Sequence, residues 1–170
     1  IQDSQVILLK FINGEIDLFG SYAQVEMFPT LKAQEGKGKF ELRVTGPERG
    51  LALYVNWDAS NPALHEAFRN LKVRQALSYA ISRDEINQTL YHGLLDISGY
   101  AYPPASPYFS DEAYRLYSEF DPDKARALLD EAGYRDTDGD GIRELKDGLP
   151  FATTVDVRVT PSMGVSVCEL

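Results

Sequence analysis

NLKVRQALSYAISRDEINQTLYHG, residues 70–93, is the stretch around which the rest of the chain can be organised. Val73, Ala76, Leu77, Ala80 and Ile81 recur at helical spacing and predict an amphipathic helix with one buried stripe. Ser82 followed by Glu85 is a capping-box pair, in which the serine oxygen takes a free amide of the next helix and the glutamate reaches back. That second helix turns Ile86 and Leu90 inward and ends at Gly93, the residue type best suited to a left-handed cap. Two helices therefore meet at Ser82 with almost no linker. On these grounds alone the stretch is a helical pair in a globular core.

Upstream, residues 3–12 read as a helix broken by Asn13-Gly14, followed by a short strand at residues 15–19. A second helix is expected over Val25 to Ala33, with Pro29 in its first turn, and Glu35 to Lys39 reads as a polar turn. Residues 40–44 alternate apolar and charged, as a half-exposed strand does. Thr45 to Gly50 is strong punctuation, and the continuously apolar run from Leu51 to Trp57 predicts a buried strand. Between Asp58 and Arg69 a loop, with at most a turn of helix, is expected, and Asn61-Pro62 reads as the stop.

Downstream, residues 94–110 form a long loop rich in Gly, Pro, Ser and Tyr. Asp121-Pro122 predicts a capped helix start, with Ala125, Leu128, Leu129 and Ala132 as its buried stripe and Gly133 at its end. An acidic turn, a short strand at 142–145, a turn at Lys146-Asp147-Gly148 and a strand over 151–159 follow. Beyond Pro161 the sequence reads as the opening of another helix.

Four segments in one order carry a resemblance to a known family: NGEIDLF at 13–19, LALYVNWDASNPALHEAFRN at 51–70, VRQALSYAISRDEI at 73–86, and DPDKARALLDEAGYRDTDGDGIRELKDGLPF at 121–151. Together they resemble the extracellular solute-binding proteins, family 5, the dipeptide- and oligopeptide-binding components of ABC importers. The resemblance implies an α/β fold, part of a two-lobe, type II periplasmic-binding-protein architecture. It implies that residues 1–50 close the first lobe, 51–58 form a hinge strand, and 59–170 begin the second lobe of a larger protein, which the chain enters without an export signal. It further implies a peptide or other small solute as ligand, permease subunits of an ABC transporter as partners, and a periplasmic or extracellular, cell-surface location. Membrane contact would run only through the permease or a lipid anchor outside this stretch.

Composition sets bounds of its own. A length of 170 residues with 44% hydrophobic and 25% charged side chains suits one domain with a core or parts of two, and opposes wholesale disorder. Seventeen basic residues against 26 acidic ones leave a net charge of −9, which repels phosphate backbones and argues against nucleic acid as a partner. The lone Cys168 excludes an internal disulfide. Chemistry of the bond-making kind lacks its usual parts. His65 and His92 are the only histidines and stand in no metal-spaced pair, no serine sits in a GxSxG elbow, and GKGK at 36–39 lacks the Ser or Thr of a phosphate loop. The chain is therefore expected to bind, not to catalyse.

Two constellations remain as binding candidates. In Tyr54-Val55-Asn56-Trp57-Asp58 alternate side chains at a strand end would set Tyr54 and Asn56 at the border of a cleft. The resemblance implies that this strand lies at the hinge beside the bound peptide, which makes Tyr54, Asn56 and Trp57 candidate ligand contacts. The competing account makes Tyr54 and Trp57 core aromatics and Asp58 a turn cap. Tyr100, Tyr102 and Tyr108 in the long loop are candidates for the same cleft, against plain loop packing. The second constellation is Asp136-Thr137-Asp138-Gly139-Asp140-Gly141-Ile142, with oxygen ligands at alternate positions and Gly at the sixth, as a wrapped Ca²⁺ loop requires. Asp136, Asp138 and Asp140, the Ile142 carbonyl, Glu144 at the ninth place and Asp147 at the twelfth would be its ligands. A twelfth-position Asp and a helix-loop-strand setting depart from the pattern, and an Asp/Gly turn bonded to its own backbone is the alternative. No cofactor is required; a small Ca²⁺-binding interaction domain built on this loop is the alternative function.

Overall fold

Asp3 opens the first helix. Its carboxylate accepts the amide protons of Gln5 at 2.7 Å and Val6 at 3.4 Å, which supplies partners for the free N–H groups of α1 (Ser4–Ile12). The computed structural model describes residues 3–20, 23–44, 52–99, 102, 104–157 and 163–170. A 3₁₀ turn at Val25–Met27 leads into α2 (Phe28–Gly38), with Pro29 in its first turn. α2 runs through the glycines that read as a polar turn and stops at Lys39, which takes the left-handed conformation at φ 54°. The reason lies in Glu35: it pairs with Lys32 at 2.7 Å and accepts the Leu42 amide at 2.8 Å, tying the returning chain to the last turn. Gly38 leaves room for the Phe40 ring, whose atoms would stand 2.5 Å from any Cβ there. Phe40 packs against Phe11 at 4.7 Å between ring centres, over a core of Leu8, Met27 and Leu31.

Asn61-Pro62 starts a helix where a stop was expected. The Asn61 side chain accepts the amides of Ala63 at 2.8 Å and Leu64 at 3.3 Å, and Pro62 fills the first position of α3 (Pro62–Arg69). Asn70 both ends α3 and caps α4 (Leu71–Tyr79), taking the Lys72 amide at 2.9 Å. α4 buries Val73, Ala76 and Tyr79, while Ala80, expected in the stripe, is exposed. α5 (Arg83–Leu90) follows directly, and Gly93 takes its expected left-handed turn at φ 72°. Ser82 makes no side-chain cap bond. Arg83 secures that junction instead, donating to the Ser78 carbonyl at 2.7 Å and to Ser78 Oγ at 2.8 Å.

A short α6 (Asp111–Arg115) closes the long loop, and α7 (Pro122–Glu131) opens with Asp121 accepting the Lys124 amide at 2.9 Å. α4 packs chiefly on α7, and α8 (Met163–Glu169) lies against α5. The core here comprises Ala67, Val73, Tyr134 and Leu145, with Leu64, Leu77, Leu129 and Phe151 packed on it. Ala76, Tyr79 and Ala125 form an adjoining cluster.

The expected strands differ from what is observed. Among the described residues the one β-bridge outside helices and turns joins Glu144 and Pro150, antiparallel. Residues 15–19, 40–44, 52–57 and 151–157 form no ladder. An apolar alternating sequence supplies the side chains of a strand, but a ladder also needs a neighbouring edge for its amides and carbonyls. These segments find no such edge among the described residues. The punctuation at 45–50, Leu51 and the end of the 151–159 segment lie outside the described residues.

Candidate ligand-contacting segment and acidic loop

Asn56 turns its side chain on its own chain. Its Oδ1 accepts the Asp58 amide at 3.0 Å, a local turn that reverses the chain after Trp57. Trp57 is held by two arginines from the corner between α3 and α4. The Arg74 guanidinium lies over the indole at 4.8 Å from the ring centre, and that of Arg69 at 5.9 Å. Arg69 also donates to the Trp57 carbonyl at 3.1 Å and pairs with Asp58 at 3.3 Å. Arg74 donates to the carbonyls of Phe68 at 3.0 Å and Arg69 at 2.7 Å, the free acceptors at the end of α3. Against the described residues Trp57 is 49% exposed and Tyr54 is 89% exposed.

Tyr102 and Tyr108 pair edge-to-face at 6.2 Å, with Tyr108 exposed. Tyr100 lies outside the described residues. The loop they belong to is pinned at Gly99, whose amide donates to the Tyr114 carbonyl at 2.8 Å and where any side chain would collide with the Leu116 carbonyl. Arg69 and Arg74 are the contributors that pattern-reading missed. Their signal was the Asn70 corner: two arginines flanking a residue that ends one helix and caps the next.

The acidic loop gathers oxygens of Asp136, Asp138, Asp140 and Glu144 within 4.8 Å of one another. These carboxylates already serve the turn. Asp136 accepts the amides of Gly139 at 2.7 Å and Gly141 at 2.9 Å, and Asp140 accepts that of Ile142 at 2.7 Å. Glu144 takes both the amide and the hydroxyl of Thr137 at 2.6 Å. Asp147 is not of this group; its carboxylate takes the Leu149 amide at 3.1 Å in the next turn. The loop is anchored behind by Arg143, which bonds the Asp130 carboxylate and the Tyr134 carbonyl. That guanidinium holds the Asp130 carboxyl below its ordinary range. Arg143, Arg126, Arg135, Asp130, Asp136 and Gly141 line a shallow polar basin of about 480 Å³.

The two histidines take no part in either place. His92 stacks on Phe28 at 6.0 Å with its backbone in the left-handed region, φ 56°. No described helix is long and apolar enough to cross a membrane.

Comparison with known proteins identifies the family. The family model described as bacterial extracellular solute-binding proteins, family 5 Middle, matches residues 1–168. The chain is 37% identical to the oligopeptide-binding protein AppA of Bacillus subtilis over 91% of its own length and 26% of that protein's. It is 26% identical to the nickel-binding periplasmic protein of Escherichia coli, covering 100% of this chain and 31% of the relative. Among solved structures, an oligopeptide-binding protein OppA matches 99% of this chain and 28% of its own, at 34% identity and a TM-score of 0.78. AppA of Bacillus subtilis in complex with a nonapeptide matches at 30% identity and a TM-score of 0.56, over 99% of this chain and 32% of its own. The chain thus spans roughly a quarter to a third of these relatives' length, and its fold is a portion of the two-lobe, type II α/β binding-protein architecture. With the family model matched from the first residue to the 168th, the chain belongs to the bacterial extracellular solute-binding proteins, family 5.

Proposed function

We propose that this chain is part of the substrate-binding component of an ABC importer and that it helps to capture a peptide between two lobes. The observation that carries the reading is the exposure of Tyr54, 89%, on an apolar segment fastened at Trp57 to the α3–α4 corner. Residues 1–50 belong to the first lobe in this account, 51–58 to the hinge, and 59–170 to the second. Two separate sets of buried side chains support the division, one around Leu8, Met27 and Leu31 and the other around Val73 and Tyr134. Tyr54, Asn56, Trp57 and the tyrosines of the long loop line the cleft. The ring of tyrosine packs on a ligand while its hydroxyl bonds, at small entropic cost.

Capture requires no bond-making. A ligand that touches both lobes binds the closed state better than the open one, and that difference shifts the population. The closed form is what the permease subunits receive, at the outer face of the membrane in the periplasm or at the cell surface, with any lipid anchor outside this stretch. Peptide is favoured over nickel because the more similar relative, at 37% identity, is named as an oligopeptide-binding protein.

The test is calorimetric titration of the whole protein with a mixed-sequence nonapeptide pool and, separately, with Ni²⁺. The expected result is saturable heat with peptide, weakened about 5- to 30-fold in Tyr54→Ala, the range of a good aromatic contact. Saturable Ni²⁺ binding with no response to peptide contradicts the reading.

A further inference from the structure

We propose that Arg74 is a positioning residue: its guanidinium joins the end of α3 to the Trp57 indole and thereby fixes the direction in which residues 52–57 leave the helical unit. Its Nη1 donates to the Phe68 and Arg69 carbonyls, at 3.0 and 2.7 Å, and its central carbon lies over Trp57, 4.8 Å from the ring centre. Among the described residues the segment pairs with no ladder, and the side-chain anchoring at Trp57 sets its course. Arg69 reinforces the anchor from the same corner through the Trp57 carbonyl and Asp58. One cation thus does two things at once: it caps two carbonyls and sets its delocalised, weakly hydrated charge over the indole, which suits a guanidinium better than a strongly hydrated ammonium. Tyr54 and Asn56 follow the course so set. The consequence for a ligand rests on the function proposed above.

Spin labels at Leu53 and Ala127, both exposed, read the direction of the segment against α7 in the whole protein, with Cys168 replaced by serine to avoid stray labelling. The expected wild-type result is one narrow distance distribution, and Arg74→Gln, Arg74→Lys and Trp57→Leu each broaden or shift it. Trp57→Phe, which keeps a ring, and Lys72→Gln, which removes only the surface pair with Glu131, leave it unchanged. Trp57→Leu retains the carbonyl caps, so it decides the matter even where Arg74→Gln folds poorly. If Trp57→Leu and Arg74→Lys keep the wild-type distribution, Arg74 is a helix cap and the proposal is overturned. Nonapeptide affinity of Arg74→Lys is the companion readout, expected to fall about 2- to 30-fold. A broadened distribution with unchanged affinity upholds the positioning role and removes Tyr54 and Asn56 from the ligand site.

Discussion

Single side chains settle several questions that patterns leave open. Tyr134 is fully buried among Ala67, Val73 and Leu145, and its hydroxyl has no hydrogen-bond partner among the described residues. A buried unpaired polar group costs about 1–3 kcal/mol, so Tyr134→Phe is expected to leave the melting temperature unchanged or raise it. A fall of several degrees would reveal a partner for that hydroxyl. Arg143 is the opposite case, since it bonds the Asp130 carboxylate and the Tyr134 backbone carbonyl together. Asp130, held below its ordinary range by Arg143, binds its proton more readily unfolded than folded. Its contribution is complete above the ordinary carboxylate value of about 4 and is lost as pH falls through the depressed one. Glu35, depressed by Lys32 and by the Leu42 amide, adds to the same acid limb. Acid titration of the melting temperature is therefore expected to be shallower in Asp130→Asn than in the wild type below about pH 4, where equal slopes would contradict the assignment.

Helices were legible because their signals are local. Asp121-Pro122 and Gly133 bound α7 as expected, and the stripe of α4 was found at Val73 and Ala76. The misreadings share a cause: a neighbour decided the outcome. Asn61-Pro62 reads equally as a stop or a start until the amides of Ala63 and Leu64 are seen to need a cap. Ser82 gave way to Arg83 because a guanidinium reached both the carbonyl and the hydroxyl of Ser78. Gly99 is a positional requirement of the same kind. Gly99→Ala drives a methyl group into the Leu116 carbonyl, with an expected loss of about 1–3 kcal/mol in a denaturant midpoint experiment. The acidic loop is also an element with its own sufficient bonding. Ca²⁺ added after chelation is expected to leave the melting temperature unchanged, and a rise would make the loop a cation site.

At the scale of the molecule, the strands were the part that sequence could not place. Leu51 to Trp57 and Phe151 to Val159 have strand composition, yet pairing depends on edges elsewhere in space, and no alternation of residues says where those edges are. The candidate site was half legible for the same reason. Tyr54 and Asn56 could be named from their segment, whereas Arg69 and Arg74, which orient it, become visible only with the α3–α4 corner in place. The acidic balance of −9 argues against nucleic acid as a partner, and family membership supplied the rest of the frame. In the proposed clamp the 170-residue chain supplies only a part of each lobe, so taken alone it is expected to bind the nonapeptide pool no tighter than about the millimolar range, equivalent to roughly 4 kcal/mol. Micromolar heat from the isolated chain would move the cleft away from the boundary near residue 50.

The most direct measurement is amide hydrogen exchange of the whole protein, with and without the nonapeptide pool, read over residues 52–58 and 62–69. The account predicts that peptide slows exchange in 52–58 while leaving α3, already capped and buried on its own core, unchanged. Peptide-dependent protection confined to other parts of the protein, with 52–58 exchanging at the same rate in both states, would contradict it.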